Sequence, residues 1–224
     1  AALLNSQPLG FYAPAQLVAD ARAHGVEVRP ADVNASHWDC TLEETGRRAA
    51  PALRLGFRMV TGLARGDADR ITAARERGAA FRSFEEFTRR TGLSNAVLEK
   101  LAAADLFRSL ARNRREAYWE ALPPPPDPHF TPPDSEAPPP LPVMSALDEV
   151  TTDYHTLGLS LEGHPLQFLR PWLATRRVIP CSRLATHDAD RKVRVAGLVL
   201  LRQRPGTASG ITFMTLEDET GQAN

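Results

Sequence analysis

Val60-Thr61-Gly62-Leu63-Ala64-Arg65-Gly66-Asp67-Ala68-Asp69-Arg70-Ile71 is the stretch on which the fold turns. Ala68 and Ile71 stand three apart, so on a helix they share one face and point into a core. Gly62 lies just ahead of that helix, where the lack of a side chain lets the backbone approach a phosphate. The helix then opens with amides that have no partner and with the positive end of its dipole, an arrangement that accepts an anion such as phosphate. Arg65 and Arg70 add to that positive field, while Asp67 and Asp69 subtract from it.

This spacing resembles the helix-hairpin-helix pattern, in which a glycine–hydrophobe–glycine hairpin joins two helices. Gly62, Leu63, Ala68 and Ile71 match it, and Ala64 replaces the usual second glycine. Contacts of this kind grip the DNA backbone without reading bases. The candidate DNA-binding residues here are Gly62, Leu63, Ala64, Arg65, Gly66 and Arg70; the competing reading is a buried turn with no ligand. A second, more degenerate hairpin is expected within 93–107, where Leu98, Leu101 and Leu106 read as packing rather than contact. Between the two, Ser83-Phe84-Glu85-Glu86 fits a capping box, with Ser83 as N-cap and Glu86 reaching back to its amide. Ser94 is a further candidate N-cap.

Working outward, residues 51–122 form the most helical segment. Ahead of it, 1–50 reads as a short helix opened by Pro14 and stopped by Gly25, then extended chain through Val26, Val28 and Val33, with Trp38 as a packing anchor. After it, 123–142 holds 11 of the 19 prolines and reads as a linker, since proline removes backbone donors and favours extended chain. Residues 143–190 read as a helical connection, with two helices interrupted around Gly158 and Gly163-His164-Pro165. From 191 to 224 the pattern turns to β, with a strand from Val193 through Leu200, a turn at 205–210, a second strand over 211–216 and another turn at 217–221. The fold class expected is therefore mixed and mainly α, ending in an unfinished sheet.

The net charge of zero conceals an uneven distribution. Residues 51–122 carry 14 Lys/Arg against 9 Asp/Glu, whereas 123–165 carry 7 acidic residues and no Lys or Arg. A basic block beside an acidic stretch points to a module that meets a polyanion. Lys100 and Lys192 are the only lysines, and the preference for arginine records a GC-rich genome more than a phosphate requirement. Lys192, Arg194, Arg202 and Arg204 form a second candidate DNA-binding set on the β segment. No apolar run approaches the roughly 20 residues that span a bilayer, so no membrane partner is expected and the cytoplasm is the expected location. Cys40 and Cys181 belong to no CxxC pair, and the six histidines show no metal-ligand spacing. The chain lacks an initial Met and enters directly into patterned sequence, which reads as a fragment.

Four further stretches carry a family resemblance. Leu3-Leu4-Asn5-Ser6-Gln7-Pro8-Leu9-Gly10-Phe11-Tyr12 resembles a fingers segment of bacterial polymerase III alpha subunits, the C-family DNA polymerases. Leu101-Ala102-Ala103-Ala104-Asp105-Leu106-Phe107-Arg108-Ser109-Leu110 resembles the end of their tandem helix-hairpin-helix module. Leu157-Gly158-Leu159-Ser160-Leu161-Glu162-Gly163-His164-Pro165 resembles their connection into an OB domain, and 193–221 resembles the first strands of that OB fold. Asp32-Val33-Asn34-Ala35-Ser36 with Trp38-Asp39-Cys40 is similar to the error-prone branch.

The resemblance implies a C-terminal portion of an error-prone DNA-directed DNA polymerase acting in translesion synthesis and repair. Its partners would be a primed DNA template, a Y-family-like accessory protein and the sliding clamp. It divides the chain into the end of the fingers (1–50), a tandem helix-hairpin-helix module (51–122), the linker (123–142), the connection (143–190) and a truncated OB fold (191–224). Family clamp motifs would fall near 141–145, where Leu141-Pro142-Val143-Met144-Ser145 lacks both the Gln and the aromatic. Mg2+ is implied for the intact polymerase, whose catalytic aspartates lie upstream of this chain. Asp67-Ala68-Asp69 and Asp188-Ala189-Asp190 read as solvated turns, and no catalytic residue and no cofactor are expected here. The alternative is a non-enzymatic helix-hairpin-helix DNA-binding protein, which a complete OB domain and a start Met would favour.

Overall fold

The computed structural model describes residues 1–10, 12–45, 51–122, 141–188, 191–207 and 210–224. They form two compact units, Ala1–Leu161 and Glu162–Asn224. The proline-rich stretch 123–140 lies outside the described residues, as do Ala189 and Asp190.

The first unit opens with α1 (Ala2–Asn5) and α2 (Pro14–Ala23). Pro14 occupies the first turn of α2, and Gly25 follows the helix at φ +79°, a left-handed conformation suited to ending it. Strands β1 (Val28–Arg29), β2 (Thr41–Glu43) and β3 (Ala52–Arg54) make a small sheet of order β1-β3-β2. β3 runs parallel to β1 and antiparallel to β2. Arg54 and Arg29 both donate to Glu43 at 2.7 Å. The Arg54 hydrogen bond, outweighing burial, holds the Glu43 carboxyl below its ordinary range.

A 3₁₀ turn (Phe57–Met59) leads into α3 (Arg65–Gly78), α4 (Phe84–Thr91) and α5 (Asn95–Ala103), followed by α6 (Arg114–Ala121) and α7 (Ala146–Leu157). Phe57, Phe87, Phe107, Leu55, Ile71, Leu101 and Leu106 are fully buried and form the centre of one core. Phe107 meets Phe84 at 4.9 Å and Phe87 at 5.1 Å, both edge to face. Such pairs add about 0.5–1.5 kcal/mol beyond the burial of their surface.

Residues 31–36 thread between these helices. The Asp32 carboxylate accepts from the Asn34 and Ser109 amides, and the Val33 amide donates to the Leu106 carbonyl. Asn34 pairs with the Phe81 backbone in both directions, at 2.7 and 3.0 Å. Arg75 reaches back from α3 to the carbonyls of Val33 and Ser36. At the other side of the unit, the buried Arg114 pairs with Asp153 and Glu149, which fastens α7 to α6.

The second unit contains α8 (Pro165–Thr175), a 3₁₀ segment (Cys181–Thr186) and strands β4 (Leu198–Gln203), β5 (Phe213–Asp218) and β6 (Gly221–Ala223). The strands form an antiparallel meander, β4-β5-β6, with a register shift between Val199 and Leu201. Arg170 of α8 holds the β5–β6 turn through Asp218 at 2.9 Å and Glu219 at 2.5 Å.

The mixed, mainly α class holds, and the expected interruption between two helices appears at Gly158, in the left-handed region, and at His164-Pro165. Local differences have physical causes. The Ser83 hydroxyl accepts the Glu86 amide at 3.1 Å as expected, but the Glu86 carboxylate takes the Arg82 amide instead of that of Ser83. Ser94 is the N-cap of α5 but makes no side-chain cap bond. Strand β4 begins only at Leu198, and ahead of it Arg194 makes an isolated parallel bridge with Val178.

Candidate nucleic-acid interface

The predicted hairpin spans Val60 to Ala64 and delivers the chain into α3. Its first arm is the single 3₁₀ turn over Phe57–Met59, not a full helix. Gly62 has φ +71°, and a Cβ there would meet only the end of Lys100, at 3.6 Å. Leu63 is buried in the core, so it anchors the loop instead of reaching outward. Ala64 is the N-cap of α3 with φ −80° and ψ 144°, ordinary extended backbone. That geometry explains why alanine stands where the pattern has glycine: the position needs no left-handed residue.

Gly62, Ala64, Arg65, Gly66 and Arg70 are all exposed around the start of α3. A Cβ on Gly66 would meet nothing within 4 Å, which leaves the helix start open to close approach. Arg65 lies 4.0 Å from Asp69, with both side chains largely in water, and such a pair is worth little. Ala68 and Ile71 are fully buried, as their spacing predicts.

The same construction recurs thirty residues later. Thr61-Gly62-Leu63-Ala64 and Thr91-Gly92-Leu93-Ser94 are near copies. Gly92 has φ +59° and its amide donates to the Thr88 carbonyl, ending α4; Leu93 is buried; Ser94 opens α5. Leu98 and Leu101 occupy the buried positions that Ala68 and Ile71 hold in the first copy. Because α4 and α5 are both full helices, this second copy is the more complete helix–hairpin–helix. The expectation of a degenerate element within 93–107 missed its first arm, and the repeated Thr-Gly-Leu triplet was the available signal.

Lys100, on α5, donates to the Gly62 carbonyl at 2.8 Å and so joins the two hairpins. Sequence reasoning overlooked it, since nothing local marks a lysine as the partner of a carbonyl 38 residues away.

The second predicted set lies in the other unit. Lys192 and Arg194 precede β4, Arg202 is exposed within it, and Arg204 follows it. Arg194 is drawn to the end of α8, where its guanidinium reaches the Arg176 carbonyl at 3.4 Å. Of the two Asp-x-Asp triplets, Asp69 faces Arg65 and Asp188 faces Arg191. Among the described residues no three His, Cys, Asp or Glu side chains group so as to hold a metal ion. None of the described helices is long and apolar enough to cross a membrane.

A family model described as a helix-hairpin-helix motif matches residues 25–117, spanning both hairpins. The whole chain also aligns with error-prone DNA polymerases: 51% identity over 229 residues to that of Alkalilimnicola ehrlichii, and 49% over 237 residues to that of Allorhizobium ampelinum. A polymerase of the same name from Rhodopseudomonas palustris strain HaA2 is 49% identical over 250 residues. The chain is homologous to error-prone DNA polymerases. It covers 21–22% of the length of these relatives, and all of it is covered by each match.

Proposed function

We propose that this chain is the DNA-holding, non-catalytic C-terminal portion of an error-prone, DNA-directed DNA polymerase of the C family. The single observation that carries the proposal is the paired hairpin. Two left-handed glycines, thirty residues apart, each deliver the backbone into an exposed helix start, and Arg65 and Arg70 flank the first. Such helix starts offer amide donors and a positive end to phosphate oxygens without regard to base sequence. A polymerase that must hold duplex of any sequence has use for that kind of grip.

The finer reading follows the resemblance. The intact enzyme would act in translesion synthesis and repair in the cytoplasm, on a primed template, beside a Y-family-like accessory protein and the sliding clamp. The β4-β5-β6 meander would be the opening of an OB fold, within the five-segment division 1–50, 51–122, 123–142, 143–190 and 191–224. Mg2+ would belong to the palm of the intact enzyme. Gly62, Leu63, Ala64, Arg65, Gly66 and Arg70 would form the duplex site, with Leu63 as its buried anchor.

The test is fluorescence-anisotropy titration of a labelled primed duplex across a salt series, beside Arg65→Glu/Arg70→Glu. Expected are sequence-independent binding that falls steeply with salt and a double variant that binds more weakly with a shallower salt slope. Unchanged binding in the variant would remove the hairpin from the duplex site.

A further inference from the structure

The second unit carries an aromatic and basic cluster outside its sheet. Trp172 lies on α8 and is 54% exposed, an uncommon position for an indole. The Arg176 guanidinium sits 3.7 Å from the centre of its ring. Arg177 follows in the left-handed region at φ +56°, which turns the chain back so that Val178 bridges Arg194. Arg194 in turn reaches the Arg176 carbonyl. Arg176 thus covers one face of an exposed indole, with the exposed Arg177 next to it in the chain and the exposed Arg194 at its carbonyl.

Among the described residues, their charges are not spent on carboxylates. The acidic residues of the β5–β6 turn are engaged by Arg170, and Asp188 by Arg191. Among the described residues, no carboxylate forms an ion pair with Arg176, Arg177 or Arg194. An indole beside unneutralised guanidinium groups is the arrangement that stacks a base and holds the adjoining phosphates.

The geometry points to a single-stranded nucleic-acid site at this cluster, with one base stacked on Trp172 and the flanking phosphates on Arg176, Arg177 and Arg194. The site lies wholly within residues 162–224 and does not depend on the hairpins. Its preference for single strands follows from chemistry, because a base offers its face to an indole only when it is unstacked. Stacking is tolerant of sequence, so any oligonucleotide with accessible bases is a ligand.

The test uses the whole chain carrying Trp119→Phe, so that the one exposed indole left is Trp172. Titration with an oligothymidylate of twelve nucleotides is followed by tryptophan fluorescence and by anisotropy, with heparin as a polyanion without bases. Expected are quenching by the oligonucleotide and none by heparin. Trp172→Ala should lose about 5- to 150-fold in affinity, the cost of one stacked base, and Trp172→Phe should recover most of it. Arg176→Gln/Arg177→Gln/Arg194→Gln should reduce the salt slope by about two, at roughly 0.7 per phosphate. Circular dichroism of each variant shows whether the helix is retained. Equal affinity in folded Trp172→Ala, or equal response to heparin, would overturn the site. Loss of duplex binding in Arg65→Glu/Arg70→Glu with oligothymidylate binding intact would separate this site from the hairpins.

Discussion

Lys100 Nζ donates to the Gly62 carbonyl at 2.8 Å, so the turn of one hairpin is tied to the helix that follows the other. A charged donor on a backbone carbonyl is a stronger bond than a neutral one, but water competes for it at an exposed position. Lys100→Met keeps the stem and removes the bond. We expect a stability loss of less than about 1 kcal/mol, with faster amide exchange at 62–66 and weaker duplex binding. Hydrogen exchange by NMR distinguishes this loosening from a global effect.

Glycine-to-alanine exchange should have opposite signs at two positions only four residues apart. Gly62→Ala forces a side chain into a left-handed backbone and should cost about 1 kcal/mol. Gly66 is helical with open space around its Cα, so Gly66→Ala should gain up to about 1 kcal/mol. Both are read from thermal melts. The two variants should nevertheless weaken duplex binding alike, if close backbone approach to phosphate is what both glycines permit.

Arg114 is buried between Asp153 and Glu149, and its loss leaves the buried Asp153 carboxylate with the Ser160 hydroxyl but no cation beside it. Arg114→Met should destabilise the first unit by about 3–5 kcal/mol. Arg114→Met/Asp153→Leu should recover much of that loss, since an apolar pair of similar volume carries no desolvation penalty. Urea denaturation of the three proteins measures the difference.

The second unit should lose stability in acid in two stages. Burial pushes the His164 imidazole below its ordinary value, so the folded unit favours the neutral ring. Its contribution is present above the unfolded pKa of about 6.5 and is lost as pH falls through the lower folded value. Glu219 is held down by its hydrogen bond from Arg170. Burial pushes Asp218 up, but the bonds from Thr220 and the Cys181 amide together outweigh it and hold the carboxyl down. These contributions are present above about pH 4 and are lost below it. Arg170→Gln should flatten the lower stage and leave the upper, which burial dominates, largely in place. Amide signals of Cys181 and Thr220, followed by NMR against pH, report it.

Much of this arrangement was legible because it is local. Pro14, Gly25, Gly62, Ser83, Gly158 and Pro165 punctuate the helices where steric rules and capping require, and Ala68 and Ile71 declare their buried face by spacing. Ser83→Ala should cost about 1 kcal/mol, while Ser94→Ala should cost much less, because the Ser94 hydroxyl caps nothing. That difference was invisible in sequence, where both serines precede helices. The partnerships that matter most to the candidate sites were equally hidden. Lys100 with Gly62, Arg114 with Asp153, and Arg194 with the end of α8 join residues 38, 39 and 18 positions apart, and no periodicity encodes them.

The thread at 31–36 has a consequence for how the hairpins can be handled and how they form. Asp32 and Asn34 satisfy backbone groups as much as 77 positions downstream. A piece beginning at residue 51 would leave the Ser109 and Phe81 amides and the Leu106 carbonyl without those partners. The hairpins are therefore no portable cassette to be grafted onto another enzyme. Full assembly of the hairpins waits on closure of a long loop, so we expect this part of the chain to fold more slowly than its helical content alone would suggest.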